Sequence, residues 1–174
     1  NAAKNLGNIR IIHTSTSEVY GTAQQIPIKE DHPLVAQSPY AATKICADQM
    51  VGSFFSSFKL PVLILRPFNT FGPRQSLRAI IPTIISQLLT QEKKLAMGNL
   101  SPKRNFNYIK DVVAGFERAC KSSCFTGEAI NIGGKFEISV KETIKLVSEL
   151  MDKNLKILTE TKRKRPKKSE VYRL

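Results

Sequence analysis

An α/β fold is predicted by three features of this chain: short β-branched runs without strict alternation, helical stretches with an apolar stripe between them, and turn signals separating the two. Residues 9–14 and 62–66 are such runs, as expected of parallel strands covered on both faces. Between them Ser38 is placed to cap a helix and Pro39 suits its first position. That helix is expected to run to about Phe58, with Ala42, Ile45, Met50, Phe54 and Phe58 supplying much of its apolar face. Strand, helix, strand in this order is a βαβ unit, which implies a right-handed crossover and a parallel sheet.

Residues 78–91 carry Ile81, Ile84, Ile85 and Leu88 at helical spacing, with Pro82 in the opening turn. Residues 106–109 and 128–132 read as strands flanking a helix from Asp111 to about Lys121, and Gly133 and Gly134 close that unit with a turn. Ser139 followed by Glu142 is a capping box for a helix whose Val140, Ile144, Val147 and Met151 form one stripe. Residues 156–160 read as a final strand.

Composition narrows the class. The chain has 174 residues, 41% of them hydrophobic and 24% charged, as in globular proteins, and no apolar run reaches the ~18 residues of a membrane span. It does not begin with Met, and the strand near residue 9 has no earlier element to pair with, so the chain is expected to be a fragment. Its three cysteines, Cys46, Cys120 and Cys124, are unpatterned, which argues against a disulfide framework and for a reducing cytoplasm. The two histidines lie far from Cys120 and Cys124, so no metal site is expected.

The net charge of +13 admits nucleic acid or an anionic small substrate. Residues 162–168 are basic at every position except Pro166, the pattern of a solvated surface; single arginines such as Arg66, Arg74, Arg78 and Arg104 suit placed phosphate contacts. With 7% aromatic residues and no Trp, a stacking surface for bases is not expected.

The chemistry is concentrated where the first strand ends. His13-Thr14-Ser15-Thr16-Ser17-Glu18 places hydroxyls and a carboxylate at the carboxyl edge of a parallel sheet, where open α/β sheets bind ligands. The following helix opens with Tyr40 and carries Lys44 one turn later. A phenol with a reference pKa of about 10 is a poor base at neutral pH. An ammonium beside it stabilises the phenolate, so Tyr40 and Lys44 together suit proton transfer from a hydroxyl as hydride leaves the same carbon. Glu18 has two readings: it removes the acidic proton next to a newly formed ketone, or it caps a turn or pairs with a surface lysine. The turn-rich stretch from Arg66 to Arg74 can line a cleft, with Asn69 both donor and acceptor, and Arg74, Arg78, Arg104 and Arg165 offer forked donors for diphosphate oxygens.

With these residues assembled, the chain resembles the extended short-chain dehydrogenase/reductase family, in particular its NAD-dependent nucleotide-sugar epimerases and dehydratases. The resemblance rests on five blocks in the family's order: Thr16-Ser17-Glu18-Val19-Tyr20-Gly21, Ser38-Pro39-Tyr40-Ala41-Ala42-Thr43-Lys44, Arg66-Pro67-Phe68-Asn69-Thr70-Phe71-Gly72-Pro73-Arg74, Arg104-Asn105-Phe106-Asn107-Tyr108-Ile109-Lys110-Asp111 and Asn131-Ile132-Gly133. Residues 75–82 and 165–171 look most like bacterial 4,6-dehydratases of the legionaminic-acid pathway type, which act on nucleotide-linked N-acetylglucosamine.

The resemblance implies the C-terminal part of a Rossmann-like parallel-sheet domain with a smaller α/β substrate-binding domain. Residues 1–71 would form the second half of the NAD-binding domain and residues 72–174 mainly the substrate-binding region, with 111–133 returning to the Rossmann sheet. It implies NAD as cofactor, held by Thr14, Ser15, Tyr40, Lys44 and Pro67. Tyr40 would be the base for oxidation at C4, Thr16 would hydrogen-bond the oxidised hydroxyl, Glu18 would abstract the neighbouring proton, and Ser17 would help the departing hydroxyl. Asn69, Arg78, Arg104 and Arg165 would bind the nucleotide sugar, and two copies would pair through the helix bearing Tyr40. Two departures stand out. Ser17 occupies the place where dTDP-glucose dehydratases carry Asp, and the family's glycine-rich dinucleotide loop is absent, so the 174 residues alone are expected neither to hold NAD tightly nor to turn over. UDP-glucuronate decarboxylase and 4-epimerase are the neighbouring activities. A basic nucleic-acid-binding module and an inactive remnant are the alternatives of another class.

Overall fold

The computed structural model describes residues 9–90, 94–153, 156–160, 171 and 173. In chain order the elements are β1 (Ile11–Thr14), a 3-10 turn (Ser17–Tyr20), α1 (Pro39–Phe58), β2 (Val62–Pro67), β3 (Asn69–Phe71), α2 (Ile80–Leu89) and β4 (Lys94–Met97). There follow β5 (Lys103–Arg104), β6 (Phe106–Tyr108), α3 (Ile109–Lys121), β7 (Ala129–Ile132), β8 (Ile138–Ser139), α4 (Val140–Leu150) and β9 (Lys156–Thr159).

β2 is the middle strand of a parallel sheet ordered β1-β2-β7, with Ile11 opposite Val62 and Ile64 opposite Ala129. Its central place explains its unbroken apolar run, since Val62, Leu63, Ile64 and Leu65 are all buried. Alternate side chains point to opposite faces of the sheet. Leu63 and Leu65 pack with Ala119 of α3 and with Phe125, while Arg66 meets Asp48 of α1 on the other face. α1 starts where expected: Ser38 Oγ accepts from the Ala41 amide at 3.1 Å, with Pro39 in the first turn, and Lys59 ends the helix in the left-handed region. Gly127, at φ 77°, lies where an added Cβ would come within 2.7 Å of the Phe55 ring, which brings α1 close to the chain entering β7.

A second interior lies beyond the sheet. Ile84 and Leu88 of α2, Leu95 and Met97 of β4, and Val140 and Ile144 of α4 form one aliphatic cluster, against which Val147 and Met151 pack. The capping box that starts α4 is complete, with Ser139 and Glu142 each accepting from the other's amide. β4 pairs in parallel with β9, β3 with β6, and β5 runs antiparallel to β8.

Three expectations are corrected. The inner face of α1 is not the apolar stripe read from the sequence: Met50 is 63% exposed and Phe58 50%, while Ala41 and Asp48 are buried. The helix sits by small side chains and one ion pair, which hydrophobic periodicity does not register. α2 spans Ile80–Leu89 rather than residues 78–91, because Ser76 and Ala79 close a turn first. α3 begins at Ile109, directly after β6, instead of at Asp111. No helix among the described residues is long and apolar enough to cross a membrane.

Candidate active site

The site forms where β1 and β2 end. Past Thr14 the chain stays on the sheet for one more residue, the Ser15 amide donating to Leu65 O at 2.7 Å, and then bends. Thr16 Oγ1 accepts from the Glu18 amide at 3.2 Å and so caps the 3-10 turn. Gly21 closes it at φ 64°, where a Cβ would meet Val35 O at 2.7 Å. The turn carries Ser15, Thr16, Ser17 and Glu18 to the wall of a cleft of about 580 Å³. Ser15 and Ser17 are buried, at 3% and 2% exposure.

Tyr40, half exposed in the first turn of α1, lines the same cleft. Lys44, one turn on, donates from Nζ to Thr14 O at 3.0 Å, so α1 and β1 are tied directly behind the cleft wall. Pro67 enters from the end of β2, Asn69 from the start of β3, Arg78 from the turn before α2, and Arg104 from β5. Arg104 donates from Nη1 to the carbonyls of Lys103 and Val171, at 2.9 and 2.8 Å. Arg165 lies outside the described residues. Glu18 lines the cleft, and the side chain that caps the turn is that of Thr16, not of Glu18.

Three buried polar atoms of cleft residues have no hydrogen-bond partner among the described residues: Ser15 Oγ, Asn69 Nδ2 and Gln75 Oε1. Buried donors and acceptors are normally satisfied, so these atoms mark a wall made for a polar ligand. Gln75 was not singled out in the sequence. Its Nε2 donates to Thr70 O at 2.8 Å, which orients the amide; its place just after the Gly72-Pro73-Arg74 turn was the available signal.

Behind the cleft runs a buried polar network that sequence reasoning also missed. Arg66 donates from Nε to Asp48 Oδ2 at 3.0 Å and from Nη1 to the Tyr20 hydroxyl at 2.8 Å. Tyr20 in turn donates to Asn131 Oδ1 at 2.8 Å, and the Asn131 amide donates to Glu30 Oε1. His13 Nε2 lies 3.2 Å from Asp48 Oδ1, though at an angle that makes no proper hydrogen bond. Burial pushes the Tyr20 phenol above its ordinary value, and the hydrogen bond from Arg66 pulls against that shift. Asp48 lies one turn beyond Lys44 on the same face of α1; that spacing was the signal in the sequence.

A parallel-sheet α/β chain with a Tyr and Lys one turn apart on a helix, the Tyr lining one cleft with a hydroxyl-rich strand end and the Lys bonded to that strand, has the build of a Rossmann-like epimerase or dehydratase. The chain belongs to the GDP-mannose 4,6 dehydratase family, whose sequence model it matches over residues 1–174. It is 38% identical over 153 residues to dTDP-D-glucose 4,6-dehydratase of Mus musculus, covering 86% of this chain and 43% of the mouse protein. Among solved structures it superposes with a TM-score of 0.90 and 30% identity on UDP-glucuronic acid 4-epimerase from Bacillus cereus, solved with UDP-glucuronic acid and NAD. The alignment covers 99% of this chain and 54% of that one. UDP-N-acetylglucosamine 4-epimerase from Methanobrevibacter ruminantium M1, solved with UDP-N-acetylmuramic acid, gives a TM-score of 0.84 at 30% identity, over 99% of this chain and 55% of its own. The chain spans less than half the length of the curated dehydratases it matches.

Proposed function

We propose that this chain is the catalytic and substrate-binding part of an NAD-dependent nucleotide-sugar 4,6-dehydratase acting on GDP- or UDP-linked N-acetylglucosamine. The observation that carries the reading is a single cleft lined by Tyr40 and by Thr16, Ser17 and Glu18, with Lys44 bonded just behind it. The residues fit the cofactor: Ser15 Oγ lines the cleft buried and without a partner among the described residues, and Tyr40 and Lys44 would supply donors to a nicotinamide ribose. When bound, NAD supplies the acceptor for hydride from C4 and its later return to C6.

Tyr40 takes the proton of the 4-hydroxyl, helped by the Lys44 ammonium, and Thr16 holds the same oxygen by a hydrogen bond. Glu18 removes the C5 proton, which the new C4 ketone has made acidic. Ser17 hydrogen-bonds the C6 hydroxyl as it departs. Of the two protons collected, one leaves with that hydroxyl as water and one is returned to C5, so the sugar loses one H₂O and the cofactor ends unchanged. Asn69, Arg78 and Arg104 supply donors for the nucleotide diphosphate, and Arg165 belongs to the same proposal.

The test is mass spectrometry of products after the chain, joined to the N-terminal dinucleotide-binding half of a relative, is given NAD and GDP- or UDP-N-acetylglucosamine. Loss of one water that disappears in Glu18→Gln is the expected result; turnover without a mass change would replace the reading with 4-epimerisation, the activity named for the Bacillus cereus structure. Pairing of two copies through α1 is part of the proposal, supported by the exposed Met50 and Phe58. Sedimentation of Met50→Glu as a monomer beside a dimeric parent is the expected outcome.

A further inference from the structure

We propose that Arg66 is a positioning residue that sets the separation between the proton-transfer pair on α1 and the dehydration residues on the 3-10 turn. The inference rests on the functional reading above and adds to it a residue that touches neither substrate nor cofactor. Arg66 is 5% exposed, Asp48 2% and Tyr20 0%. One guanidinium holds both elements: Nε and Nη2 each lie 3.0 Å from Asp48 Oδ2, and Nη1 donates to the Tyr20 hydroxyl at 2.8 Å. Asp48 stands one turn beyond Lys44 and two beyond Tyr40 on the same helix face. Tyr20 stands two residues beyond Glu18 within the same turn.

The guanidinium is planar and its donors leave it at fixed angles, so the two partners are held at a set spacing as well as attracted. An aliphatic contact would fill the space without fixing that spacing, and burying a charge pair is a costly way to obtain adhesion alone. Arg66 is also next in sequence to Pro67, which lines the cleft, so the hub is itself carried by the central strand. The arrangement therefore makes a specific demand on the chemistry. The helix arm governs the oxidation step, because it carries Tyr40 and Lys44. The turn arm governs water loss, because Ser17 and Glu18 lie within the turn that Tyr20 ends, while Thr16 precedes it as its cap.

Each arm can be released alone. In the chain joined to a relative's N-terminal half, Asp48→Asn is expected to slow the formation of reduced nicotinamide on mixing with the nucleotide sugar by about 10- to 100-fold, the scale of a small misplacement, with KM little changed. Tyr20→Phe is expected to leave that first step at the parent rate and to slow water loss, so that reduced nicotinamide accumulates during turnover. Thermal melting of both variants is followed in parallel. If both melt lower yet run both steps at the parent rate without accumulation, Arg66 is a stabilising residue only and the proposal is overturned. Should Asp48→Asn fail to fold, Asp48→Glu is read in its place: the charge pair survives but the helix is displaced, and an unchanged oxidation rate again overturns the proposal. Tyr40→Phe separates the two levels, because full turnover by that variant would sink the functional reading itself, whatever Arg66 does.

Discussion

The face of the sheet covered by α1 and the interior between α2 and α4 are both well buried, yet they are held by opposite means. Between α2, β4 and α4 the buried cluster is aliphatic, from Ile84 and Leu88 to Leu95, Met97, Val140 and Ile144, with the Gln87 amide bonding Ala96 of β4 beside it. Under α1 the buried polar groups are Asp48, Arg66 and Tyr20, with His13 beside them. Apolar burial is non-directional and tolerates sliding, whereas a charged, hydrogen-bonded contact specifies one geometry. The directional contacts lie behind the residues proposed to carry the chemistry, and the aliphatic ones lie behind the side of the cleft formed by Ile80, Thr83 and Val140.

The comparison can be broken most severely at the ion pair. Asp48→Ala strands Arg66 in the interior and is expected to cost about 3–5 kcal/mol in denaturant unfolding, while replacing Asp48 and Arg66 together by apolar residues is expected to cost far less. Leu95→Ala, at a fully buried position of the aliphatic interior, is expected to cost about 3 kcal/mol by cavity formation, with the residues under α1 undisturbed. Ser38→Ala removes the cap of α1 and is expected to cost about 1 kcal/mol.

Alkaline pH sharpens the contrast. The buried Tyr20 phenol ionises above the ordinary value of 10.0, so the folded state holds its proton when the unfolded chain releases it. Its contribution is fully present below about pH 10 and is lost as pH rises through the folded value. Unfolding free energies measured on either side of pH 10 should show this decline in the parent and a smaller one in Tyr20→Phe. The smallest effect is expected on the surface of α4, where Lys145 and Glu149 pair at 3.7 Å with 78% and 62% of their side chains exposed. Lys145→Ala should shift stability by no more than about 0.5 kcal/mol.

What was legible in the sequence follows the same division. Local signals read through to the structure: the Ser38 cap and Pro39 start, the Ser139–Glu142 box, the buried run of β2 and the aliphatic stripe of α4 are all set by neighbours within a turn or a strand. The cleft residues Thr16, Ser17, Glu18, Tyr40, Asn69, Arg78 and Arg104 fall in short motifs at strand ends, a helix start and turns, and the fold brings them to one cleft. The inner face of α1 was not, because its seating depends on an aspartate meeting an arginine from another strand, and apolar periodicity pointed instead to Met50 and Phe58. The short β3–β6 and β5–β8 pairings escaped for a related reason: pairs of two or three residues are made by tertiary context, not by propensity. Gln75, an uncharged amide, offered only its place after the Gly72-Pro73-Arg74 turn, a signal too general to mark a site residue.

The dehydratase reading stands most directly on the product of the chain joined to a relative's N-terminal half and supplied with NAD and GDP- or UDP-N-acetylglucosamine. It requires a nucleotide sugar lighter by one water, formed by the parent and not by Glu18→Gln. A product of unchanged mass, or a dehydrated product that Glu18→Gln makes as readily as the parent, would contradict it.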